Sequence, residues 1–207
     1  MSLESGRLPY VDELSYAAER ALYVRRDEVI EAARSVGRLI RAHPTKESRR
    51  GDTARNIVFS IADERNRVRS LMLGGVAIGL DLSIAFWSSP ESRHSRLITA
   101  GKRPTVIISH THAPTSALSM MDMSVRRGTE LSPQDRAEYL QRFNAVRSKQ
   151  NIRPFENITM TKELYVAVPS DDPSMTTVPV TAYDEHMQEH PANYPITAGQ
   201  IFGRTAL

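Results

Sequence analysis

The segment Thr105-Val106-Ile107-Ile108-Ser109-His110-Thr111-His112 constrains this chain more than any other. It is apolar and β-branched, then turns abruptly polar. That pattern reads as a buried strand that delivers two histidines at its C-terminal end. Residues two apart on a strand share a face, so His110 and His112 project together and Thr111 projects the other way.

The rest of the chain supplies the elements around this strand. Residues 12–42 hold no proline and a single glycine, and their apolar residues recur at helical spacing. They predict an N-terminal helical segment, with a break near residues 25–27 and a stop at Pro44. Residues 57–61 and 68–73 predict a hairpin with its turn at 62–66. Residues 76–87 fit either a strand or a buried helix, and 88–104 read as a loop.

Ser132-Pro133-Gln134-Asp135 opens a helix. Serine is a preferred N-cap, proline suits the first helical position, and an acidic residue is favoured in the first turn. Ala137, Leu140, Phe143 and Val146 then mark one face. Residues 163–169 predict a strand. Residues 176–184 predict an edge strand, because Pro179 cannot donate to a ladder. From Glu185 the chain reads as a polar tail. Helices segregated from runs of strands predict an α+β (mixed α/β) architecture. The domain expectation is a helical segment at 1–42, a central domain at 43–185 and a C-terminal tail at 186–207.

With no cysteine in its 207 residues, the chain has no thiolate to offer a metal. Any such site needs His, Asp or Glu. His110 and His112 can both reach one zinc ion, and an aspartate on a neighbouring element with a water would complete a tetrahedral site. Two candidates follow, each in a Ser-x-x-Asp segment: Asp122 after Ser119, and Asp135 after Ser132. The stronger helix-start chemistry favours Asp135.

His-x-His followed by Ser-x-x-Asp resembles the JAMM (MPN+) metallopeptidases. The order "SHTHAP", "ELSPQDRAEYL", "ELYVAVPSDD" resembles more closely the JAMM-like domains of bacterial Rhs and polymorphic toxins, over about residues 30–185. The resemblance implies a curved mixed sheet flanked by helices, JAMM/cytidine-deaminase-like, with an N-terminal helical arm. It implies Zn2+ on His110, His112 and Asp135, with Ser132 stabilising an oxyanion. A glutamate would serve as general base: Glu47, or Glu64 as the alternative. Glu47 precedes Gly51 by four residues where the family has three, which departs from the pattern. The expected function is zinc-dependent hydrolysis of a peptide or isopeptide bond, with a protein or peptide substrate, in an effector or toxin module. A non-catalytic interaction domain of the same fold, docking a partner through its N-terminal helices, is the alternative.

Other motifs are weaker. His186-Met187-Gln188-Glu189-His190 fits His-x-x-Glu-His, but Pro191 would end such a helix at once. The Gly-rich stretch at 71–79 lacks the Gly-Lys-Ser/Thr ending of a P-loop. The formal charge of +3 comes from scattered basic residues, not a stripe, so nucleic acid is the lesser expectation. No apolar run reaches the length of a membrane span and no secretory leader is seen. The expected location is the cytoplasm, or delivery by a specialised secretion system.

Overall fold

The computed structural model describes residues 7–10, 22–41, 55–73, 76–110, 116–149 and 162–203. Their architecture is α+β, built on two antiparallel sheets.

The larger sheet holds eight strands. Strand β1 (Arg7–Tyr10) pairs with β2 (Leu22–Arg25), and helix α1 (Arg26–Arg41) follows directly. Next come β3 (Arg55–Ala62) and β4 (Val68–Met72). Strands β7 (Thr105–His110) and β8 (Ala117–Met120) continue the sheet, and β11 (Thr176–Tyr183) and β12 (Glu189–Pro195) complete it. Its order is β1-β2-β11-β8-β7-β3-β4, with β12 on the other side of β11. The smaller sheet runs β5 (Val76–Ile78), β6 (Ile84–Ser88), β10 (Glu163–Val168), β9 (Ser124–Arg127). Helix α2 (Arg93–Thr99) precedes β7, α3 (Pro133–Lys149) follows β9, and α4 (Ala198–Phe202) follows β12.

Both sheets enclose one core. Phe59 on β3 meets Phe86 on β6 edge-on at 5.4 Å, and Phe86 stacks on Tyr165 of β10 at 5.6 Å. These aromatics tie the larger sheet to the smaller. On β7, Val106 and Ile108 are fully buried while Ile107 is 36% exposed. The strand therefore buries one face rather than two, as an antiparallel sheet allows.

Helix α1 packs through Val29, Ala33, Val36 and Ile40, all buried, at the spacing of one helical face. Burying each of the larger aliphatic side chains contributes about 1.5–3 kcal/mol. The helix carries Asp27 and Glu28 in its first turn and Arg38 and Arg41 in its last, in accord with its dipole.

The expected hairpin forms as β3 and β4, and the expected helix break falls where β2 gives way to α1. Leu22–Arg25, expected helical, is instead strand β2. Residues 93–99 of the expected loop form α2. The polar tail is no tail from 189 onward: β12 and α4 form there, and Ile196, just after β12, and Ile201 on α4 enter the core. Every described strand pairing is antiparallel, so the mixed sheet expected from the metallopeptidase resemblance is not the one found.

Candidate functional site

A cleft of about 760 Å³ lies between α1 and the β11–β12 hairpin. Its origin is a gap in the larger sheet. On one side β11 pairs with β12 over residues 177–183. On the other it meets β8 only at Thr176 and Thr177, and β2 only at Ala182 and Tyr183. Residues 178–181 are left uncovered on that side by any described strand, and Pro179, Val180 and Thr181 line the cleft.

Hydrogen-bond alternation sets what this gap presents. The Thr176 carbonyl accepts from Ile196 N on the β12 side, and the Met175 carbonyl accepts from Met121 N on the β8 side. Odd-numbered residues of β11 therefore point their backbone groups away from β12. Pro179 is one of these. It has no N–H, so it offers the gap a carbonyl alone.

Helix α1 forms the opposite wall through Glu28, Glu31, Ala32, Ser35 and Arg38. Arg38 Nη2 donates to Glu31 Oε1 at 2.8 Å. Ser35 and Ser116 share a hydrogen bond between their Oγ atoms. Ser116 lies at the base of the β7–β8 connection, where its carbonyl accepts from His110 N at 3.1 Å.

The third wall is β12, with Glu189, His190 and Pro191. His190 Nε2 lies 3.0 Å from Asp184 Oδ2. Asp184 is buried, and its Oδ1 accepts from His186 N and Gln188 N, both at 2.9 Å. The hydrogen bond with His190 and the two backbone N–H groups hold its pKa down at about 2, against the cost of burial.

The same turn occurs in the β3–β4 hairpin. Asp63 is buried and its Oδ1 accepts from Arg65 N and Arg67 N, both at 2.9 Å. Asn66 and Met187, third after each aspartate, both adopt positive φ. The two turns differ in the second carboxylate oxygen. Asp63 Oδ2 is met by Arg67, Arg69 and Arg93. Asp184 Oδ2 is given to a histidine in a cleft.

Of the residues singled out by the metallopeptidase resemblance, His110, Asp122, Ser132, Asp135 and Glu64 are among those described. His110 ends β7, half-buried. Ser132 and Asp135 open α3 at an exposed position, where Ser132 Oγ accepts from Asp135 N at 3.1 Å as a helix cap. Asp122 is ion-paired with Arg103 at 2.8 Å. Glu64 is exposed in the β3–β4 turn. His112 and Glu47 lie outside the described residues. Among the described residues, no group of three or more His, Asp or Glu gathers to hold a metal ion. His186 and His190 do not share a helix: His186 sits in the turn and His190 on β12.

No family model and no curated protein matches this chain. Solved structures do. A protein of unknown function from Agrobacterium tumefaciens aligns with a TM-score of 0.50 at 14% identity, covering 85% of this chain and 61% of its own. The chain thus spans about three fifths of that protein's length. A haem-binding protein from Mycobacterium smegmatis aligns at 0.49 and 8% identity, over 83% of this chain and 60% of that one. A putative pyridoxamine 5′-phosphate oxidase from Lactobacillus delbrueckii aligns at 0.38 and 8%, over 61% and 89%.

The first of these likenesses shows a shared fold. The JAMM/cytidine-deaminase-like expectation is corrected by that likeness and by the antiparallel pairing of every described strand. The zinc hydrolase function, its Zn2+ and its toxin or effector setting fall with it. The motif misled because its parts answer local needs: Ser132 caps a helix and Asp122 pairs with an arginine. No described helix is long and apolar enough to cross a membrane.

Proposed function

We propose that this chain is a small-molecule-binding protein whose ligand, a flat ring system of flavin or haem class, occupies the cleft between α1 and the β11–β12 hairpin. The observation that carries this reading is the cleft itself. Its volume of about 760 Å³ falls within the roughly 300–1,000 Å³ of ligand sites. Ala32, Pro179, Val180 and Pro191 give it apolar surface for a ring. Ser35, Ser116, Thr181 and His190 supply a few polar groups to orient one.

The Asp184–His190 pair supports the same reading. Ionised Asp184 can only accept, so neutral His190 carries its proton on Nε2 and keeps a lone pair on Nδ1. A histidine with its tautomer set by a buried carboxylate is preorganised to accept a hydrogen bond or to take a proton.

A thermal-shift panel of riboflavin, FMN, pyridoxal 5′-phosphate and haemin tests the proposal. A ligand present at 100 times its Kd stabilises by about 2.7 kcal/mol, which raises Tm by several degrees in a domain of this size. A saturable rise with at least one compound is expected. No shift with any of the four contradicts the reading.

A further inference from the structure

We infer that the cleft selects a ligand that donates hydrogen bonds and is neutral or positively charged where it meets Glu28 and His190. This rests on the cleft being the ligand site, and it goes further by naming the chemistry of the group recognised.

The lining is rich in acceptors. Glu28, Glu31 and Glu189 bring three carboxylates, and Arg38 is the single guanidinium among the described lining residues. That guanidinium donates to Glu31. Glu28 is half-buried, and among the described residues its carboxylate accepts from the Tyr183 hydroxyl at a long 3.4 Å. Its carboxylate retains most of its accepting capacity.

Two independent features add acceptors of fixed direction. Asp184 sets the His190 tautomer, so Nδ1 of neutral His190 accepts. The gap beside β11 presents the Pro179 carbonyl with no N–H from that residue, beside the carbonyl and single N–H of Thr181. A phosphate or carboxylate placed against Glu28 and His190 would meet like charge and leave these acceptors unsatisfied, and both cost free energy. An amine or a ring N–H satisfies them. The group recognised at that end is therefore an amine or a ring N–H, on an aromatic ring lying against Ala32 and Val180.

The matched pair tryptamine and indole-3-acetate tests this, because the ring is common and only the charged end differs. Calorimetric titration of the whole chain should give at least about tenfold tighter binding of the amine. Glu28→Gln keeps the size of the side chain and removes its charge, and should bring the two affinities closer together. Indole-3-acetate binding as tightly as tryptamine, or an unchanged ratio in Glu28→Gln, overturns the inference and leaves the cleft standing as a site. Failure of both indoles to bind, with no response to the four cofactor-class compounds, overturns the inference and the cleft reading together.

Discussion

His190 Nε2 and Asp184 Oδ2 stand 3.0 Å apart across the end of a hairpin, one residue opening into a cleft and the other buried. The aspartate is fixed by two backbone N–H groups before it meets the imidazole. Its direction is thus built into the turn. The histidine inherits that direction, and with it a defined tautomer. This relationship distinguishes the cleft from an ordinary surface groove.

Nitrogen NMR of the histidines tests the tautomer. In the neutral form of His190 the proton should reside on Nε2. Asp184→Asn removes the charge that holds it there and should produce a mixture of Nε2–H and Nδ1–H forms. An Nδ1–H form already dominant in the parent would contradict the assignment.

Stability should respond to acid through Asp63 and Asp184, whose folded pKa values are both depressed. A lowered folded pKa means the contribution is complete above the unfolded value of about 3.9 and is lost as pH falls through the folded one. Tm should be nearly flat above about pH 5 and fall between about pH 4 and 2, the range of the Asp184 shift. Asp184→Asn should lower the plateau by several degrees and make the acid limb shallower. A parent and variant with parallel acid limbs would show that Asp184 is not coupled to folding.

Gly37 tests the packing that holds the cleft's helix in place. A Cβ there would come within 2.7 Å of the Ile201 carbonyl oxygen on α4, which is backbone and cannot swing aside. Gly37→Ala gains helix propensity of about 1 kcal/mol but forces α1 and α4 apart, with overpacking costs of typically 1–3 kcal/mol. Net destabilisation in urea unfolding is expected. A stabilised variant would mean that the two helices separate freely.

Much of the architecture is legible in the sequence, and the reasons for success and failure are local. The β3–β4 hairpin is readable because β-branched runs flank a polar turn. The start of α3 is readable because Ser132 and Pro133 are strong start signals, and both serve as a start. Strand β12 is hidden because Pro191 and Pro195 argue against a strand. They oppose Thr181 and Thr177, so their missing N–H groups face the edge that no described strand pairs, where no ladder bond of the described sheet is lost. The cleft was hidden for a related reason. It arises from a gap between strands distant in sequence, and no spacing rule reports a gap. Its histidine was visible only inside a His-x-x-Glu-His pattern that presumed a helix. The informative spacing was Asp184 to His190 across a hairpin turn, the same aspartate turn that opens at Asp63.

The most direct test of the central claim is a riboflavin fluorescence titration of the parent chain beside Ala32→Trp. Ala32 lies on the cleft wall of α1 and is partly exposed, so an indole there would fill the space a ring ligand needs. The account predicts saturable one-to-one binding to the parent, binding at least about tenfold weaker to the variant, and similar Tm values without ligand. Equal binding by the two proteins would place the ligand elsewhere and contradict the account.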